Sequence, residues 1–216
     1  MILFIHGAPG TWDAYKNYLA DYELQQQARL ISMDRLGYGS SNLGIPELDI
    51  KNHAAAAKTI LDRYTPSKII VVGHSYGGPI AAMLAANYNN IIDGVLMVAP
   101  LNDPENEPVK WYAKLCNSPL LNWALPYFIT ISTAEKMGHS QSLKNIKPQW
   151  QNIKTPIIHY HGKKDALAPF EANINFSKTN IPQQWLTIKT DKEDGHLVIF
   201  DEGAKMTRLI LSLLEM

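Results

Sequence analysis

Lys68-Ile-Ile-Val-Val-Gly-His-Ser-Tyr-Gly-Gly78 decides how the rest of this chain is read. Lys68 to Val72 is short, apolar and β-branched, as a strand buried on both faces should be. Gly77 to Tyr88 then carries Ala81, Ala82, Ala85 and Ala86, small residues that let a helix lie close to a sheet. Between strand and helix, G-x-S-x-G leaves room only for a sharp turn. Ser75 must take a strained backbone conformation there, and the residues two away on either side must be small. Gly73 and Gly77 meet that demand. The turn holds a serine oxygen at the carboxyl edge of the sheet, beside a helix amino end whose dipole favours developing negative charge.

The same alternation recurs on both sides of this stretch. Ile2 to Ile5, Arg29 to Met33, Gly94 to Ala99, Pro156 to Tyr160 and Trp185 to Lys189 read as further strands. Ile50 to Tyr64 and about Asp201 to Met216 read as further helices, the first ending before Thr65-Pro66. The expected class is α/β: a mostly parallel sheet of about six strands with helices on both faces. Leu101 to Ile153 has no strand-like run but contains Pro104, Pro108, Pro119, Pro126 and Pro148. Loops of that length are uncommon inside a domain, so this segment reads as an inserted cap of two or three short helices. With no repeat, low-complexity tract or Gly/Ser linker, residues 1–216 form one domain including that cap.

Composition narrows the function classes. Twenty basic residues balance twenty acidic ones, so no global field holds nucleic acid or an anionic membrane surface. Hydrophobic residues at 46% and charged residues at 19% fit an ordinary globular chain. No run reaches membrane-spanning length, and the opening Met1 to Gly7 lacks a basic leader region. The single Cys116 cannot form an internal disulfide. A cytoplasmic location is the expectation.

Acyl transfer at Ser75 needs a base, an acid and two oxyanion donors. The backbone N–H of Tyr76, next after the serine, is one donor; Ala8, in the His6-Gly7-Ala8-Pro9-Gly10 loop after the first strand, supplies the other. His196 follows Gly195 in a polar turn ahead of the last helix and fits the base. His6, His53, His74, His139, His159 and His161 read as structural. Asp165, four residues past the end of a strand, fits the acid, with Asp103 as its main rival and Asp191 and Asp194 behind it. In the cap, Trp111, Leu115, Trp123, Tyr127 and Phe128 are candidates for an apolar substrate pocket.

Four motifs in this order, HGAPG, DRLGYGSS, GHSYGG and HGKKDALAP followed by GH, make the chain resemble the α/β-hydrolase superfamily along nearly its whole length. The resemblance implies an eight-stranded sheet, no metal and no organic cofactor. It also implies nucleophile, acid, base and oxyanion roles for Ser75, Asp165, His196, Ala8 and Tyr76, and a pocket-rim role for Asp34 to Ser40. Serine at position 75 separates the chain from the haloalkane dehalogenases and epoxide hydrolases it otherwise looks like, which use aspartate there. A small, mainly uncharged carboxylic ester is the expected substrate; an amide, a thioester or a C–C bond is the alternative, and a non-catalytic binding protein on the same scaffold is a third reading. The antiparallel strand pair that usually precedes HGxPG in that superfamily is missing, so either the variant is compact or the chain begins upstream. The Arg29 to Met33 strand then becomes an exposed edge through which two copies could pair.

Overall fold

Side chains alternate across the sheet, and in its inner strands both sets are mostly apolar and buried. A computed structural model describes residues 1–106, 116, 118 and 124–216. Its strands are β1 (Ile2–Ile5), β2 (Leu30–Met33), β3 (Ile70–His74), β4 (Gly94–Val98), β5 (Ile157–Gly162) and β6 (Leu186–Asp191). They form one parallel sheet in the order β2-β1-β3-β4-β5-β6. Leu3, Ile5, Val71, Val95, Met97 and Ile157 enter the core on one face. Ile2, Phe4, Ile70, Val72, Leu96, Val98 and Ile158 enter the core on the other. Two-sided burial is why these strands read as continuous apolar runs.

The helices are α1 (Lys16–Leu19), α2 (Tyr22–Gln27), α3 (Ile50–Leu61), α4 (Gly77–Asn87), α5 (Tyr127–Ile146), α6 (Phe170–Asn180), α7 (Val198–Asp201) and α8 (Gly203–Glu215). Of these, α3 and α4 cover the first face, while Met206, Ile210 and Leu213 of α8 cover the second. Among the described residues, no helix is long and apolar enough to cross a membrane.

The expected six parallel strands are present, with shifted ends. The elbow strand runs two residues later than its apolar run, since Gly73 and His74 still pair with Met97 and Val98 of β4. The helix from Ile50 stops at Leu61, short of Tyr64, and continues as a turn. In the segment expected to hold short helices, Cys116 is helical and the described residues after it include one long helix, α5, between Pro126 and Pro148, followed by a 3-10 turn over Lys147–Asn152. Nothing between the two prolines breaks it, and Gly138 is tolerated inside. Ser142 on α5 accepts the backbone N–H of Ile50 at 2.8 Å, tying α5 to the start of α3. Trp111, Leu115 and Trp123 lie outside the described residues.

Strand order reverses at β1: the chain steps out to β2 and then returns to place β3 on the other side. In open α/β sheets such a reversal leaves a crevice at the carboxyl ends of the two diverging strands. His6 to Ala8 follow β1 and Ser75 follows β3, so both border that crevice.

Candidate active site

Ser75 has φ +53°, the left-handed region that side chains avoid. The turn is closed by its neighbours: a Cβ on Gly73 would stand 2.2 Å from the Gly77 carbonyl oxygen, and one on Gly77 would stand 2.2 Å from that of Ile5. Both approaches are far inside van der Waals contact, so glycine is obligatory at each. Ser75 itself is held by its N–H to the Val98 carbonyl at 3.0 Å, and its own carbonyl accepts from Gly78 N–H at 3.0 Å.

Ser75, His196 and Asp165 come together in one hydrogen-bonded line. His196 Nε2 is 2.9 Å from Ser75 Oγ, and His196 Nδ1 is 2.8 Å from Asp165 Oδ2. The other Asp165 oxygen accepts the backbone N–H groups of Leu167 and Ala168, each at 2.8 Å. Burial pushes the Asp165 carboxyl upward, but hydrogen bonds from His161, His196 and Ala168, with the His196 charge, outweigh it and hold the group well below the usual carboxylate range. Asp103 is turned to local work, accepting Glu105 N–H at 2.9 Å and Asn106 Nδ2 at 2.7 Å. Asp194 meets Tyr160 and Lys205, and Asp191 meets Glu193 N–H and Lys205.

The loop carrying Ala8 presses against the serine: a Cβ on Gly7 would lie 3.1 Å from Ser75 Cβ. The Gly7 carbonyl accepts from His6 Nδ1 at 2.7 Å and from Arg35 Nη2 at 3.1 Å. In a trans peptide the N–H points opposite to the C=O, so fixing this carbonyl also fixes the direction of the Ala8 N–H. Arg35 is fully buried and pairs with Glu135 of α5 through Nη1 and Nη2, at 2.6 and 3.0 Å. Tyr38 donates to the same carboxylate at 2.7 Å, and the guanidinium lies over the Tyr76 ring, 4.4 Å from its centre. Burial pushes Glu135 upward, yet the Arg35 charge and its hydrogen bonds bring it down to about 2. His139, one turn further along α5, stacks on Tyr76 with ring centres 4.4 Å apart.

Residues read as structural from the sequence therefore support the site. His74 Nε2 donates to the His196 carbonyl at 2.9 Å, and burial, then the His196 charge, holds His74 down at about 3. Tyr127 and Phe128 open α5, each 42% exposed, with rings 5.9 Å apart edge to face.

A family model described as alpha/beta hydrolase fold matches residues 1–119. Among curated relatives, mouse Epoxide hydrolase 4 is 29% identical over 100 residues, covering 45% of this chain and 27% of the relative. Human Protein ABHD8 is 26% identical over 133 residues, covering 57% and 30%. The chain thus spans about 30% of the length of these relatives. Among solved structures, the Paleococcus ferrophilus monoacylglycerol lipase superposes with TM-score 0.75 at 18% identity, covering 99% of this chain and 93% of that one. The hydrolase olei00960 from Oleispira antarctica gives TM-score 0.77 at 18% identity, covering 99% and 90%. At that identity the superpositions speak for the fold alone. With more than half of its residues matched, the chain belongs to the α/β-hydrolase fold family.

Proposed function

We propose that this chain is a serine hydrolase that cleaves a small, mainly uncharged carboxylic ester through an acyl-enzyme. The observation that carries the reading is the unbroken line from Ser75 through His196 to Asp165. Ser75 Oγ attacks the ester carbonyl carbon while His196 Nε2 takes the hydroxyl proton. Asp165 stabilises the imidazolium so formed, and the Ala8 and Tyr76 N–H groups hold the oxyanion. The proton then passes to the departing alkoxide. Water, deprotonated by His196, attacks the acyl-Ser75 ester, releasing the acid and restoring the serine.

Ser75 stands where the aspartate branch forms its alkyl ester, so the activity in the name of the epoxide hydrolase relative is not carried over. Glu135 is fully engaged by Arg35 and Tyr38 and is not free to receive a substrate amine. The reading is tested on p-nitrophenyl acetate: Ser75→Ala should lower kcat by on the order of 10⁴ or more. Full activity in that variant would sink it. Pairing of two copies along the edge strand β2 belongs to the same proposal, and a monomer in sedimentation velocity at micromolar concentration would remove it.

A further inference from the structure

Asp165 receives a second imidazole. His161 Nε2 lies 3.1 Å from Asp165 Oδ2 and also 3.1 Å from the Ala168 carbonyl oxygen. Both partners only accept, so that nitrogen carries hydrogen. His161 Nδ1 lies 3.1 Å from His159 Nε2, and His159 Nδ1 lies 2.9 Å from Ser177 Oγ. Ser177 Oγ in turn accepts from Asn102 Nδ2 at 3.2 Å. All five residues are buried, and both histidines have no exposed surface.

One assignment of protons satisfies the whole line without a second buried cation. Asn102 donates to Ser177, the Ser177 hydroxyl donates to a bare His159 Nδ1, His159 Nε2–H donates to a bare His161 Nδ1, and His161 Nε2–H donates to Asp165. The reverse direction would load Ser177 Oγ with two donors and leave its own hydrogen without a place in the line. It would also make His161 a buried imidazolium beside His196. Burial, then the neighbouring His161, holds His159 well below the ordinary histidine range, consistent with a neutral ring.

We propose that His161 is a positioning residue for Asp165, and that His159, Ser177 and Asn102 lock it in the tautomer that donates from Nε2. The relay is independent of the chemistry; its effect on activity rests on the Ser75 reading. With the Leu167 and Ala168 N–H groups holding Oδ1, His161 completes the fixing of the carboxylate's rotation and draws charge from the Oδ2 that His196 uses. His196 also faces Ser75 and His74, whose ring centre is 5.0 Å away. His161 faces His159 and the Phe170 ring, 5.6 Å away. Asp194, the acidic neighbour on the His196 loop, is taken up by Tyr160 and Lys205.

The first test needs no variant and no substrate. In the full chain labelled with ¹⁵N-histidine, two-bond ¹H–¹⁵N correlations at pH 8 should show His159 and His161 as Nε2–H tautomers. An Nδ1–H tautomer or a doubly protonated ring at His161 overturns the relay. The second test uses p-nitrophenyl acetate. His161→Leu should lower kcat several-fold and move the acid limb of kcat/KM upward by about half a unit or more, because Asp165 then concentrates its charge on His196. His161→Gln, which keeps an N–H donor, should recover much of both. A folded His161→Leu with an unmoved acid limb overturns the positioning role. If the tautomers are as stated but Ser75→Ala keeps full activity, the functional reading fails and the relay stands.

Discussion

The two loops that flank Ser75 are held by opposite means. The Ala8 loop hangs on a buried ion pair, Arg35 with Glu135, that reaches 100 residues along the chain to α5. The Asp165 loop hangs on its own backbone N–H groups and on neutral imidazoles from the strand it follows. An ion pair taken out of water is strong only while both partners remain, because removing one leaves a charge with no solvent to receive it. A neutral relay carries no such debt. The oxyanion side of the site is therefore expected to be brittle, tied to the placement of α5, while the acid side is tuned by finer adjustments.

Three changes separate the two sides. Glu135→Ala leaves Arg35 buried and unpaired, and should destabilise the fold by about 3–5 kcal/mol in urea unfolding. Replacing both partners together, Arg35→Met with Glu135→Met, should return most of that loss while still releasing the Gly7 carbonyl. A double variant as unstable as the single one would show that the pair itself, rather than the orphaned charge, governs stability. The buried imidazoles, His6 on the Ala8 side and His74 and His159 on the other, act through pH. Burial is the main cause that holds His6 and His74 down at about 3, and it holds His159 well below its ordinary range. Unfolded histidines bind protons near pH 6.5, so the unfolded state takes up protons first as the solution is acidified. Stability should be full above about pH 6.5 and fall toward pH 3, by about 1.4 kcal/mol per pH unit for each of His6 and His74, with His159 adding to the fall below pH 6.5. Urea midpoints measured from pH 7 to pH 4 check this, and His159→Phe should flatten the slope.

Much of the candidate site's geometry was legible because it depends on local sequence. The elbow glycines, the order Ser75, Asp165, His196 and the apolar strands each leave a mark within a few residues. The supporting shell left fainter ones. The inward face of α5 carries Glu135, His139, Ser142 and Leu143 at helical spacing, but three of these look like solvent positions, so apolar periodicity could not find it. Arg35 sits in a loop motif whose partner lies in a segment read as short helices. A signal for the relay did exist: His159 and His161, two apart on a strand, must point to the same face, the second of them four residues before Asp165. Strand ends shifted for a related reason, since β3 and β5 carry polar or small residues at their carboxyl ends, where the site is built.

Covalent labelling reads most directly whether Ser75 is a nucleophile activated by His196. Intact-mass analysis after treatment with a fluorophosphonate should show a single adduct on the folded chain, mapped to Ser75, absent in Ser75→Ala and slowed by on the order of 10³-fold or more in His196→Ala. A folded chain that takes no adduct, or one whose adduct persists in Ser75→Ala, would contradict it.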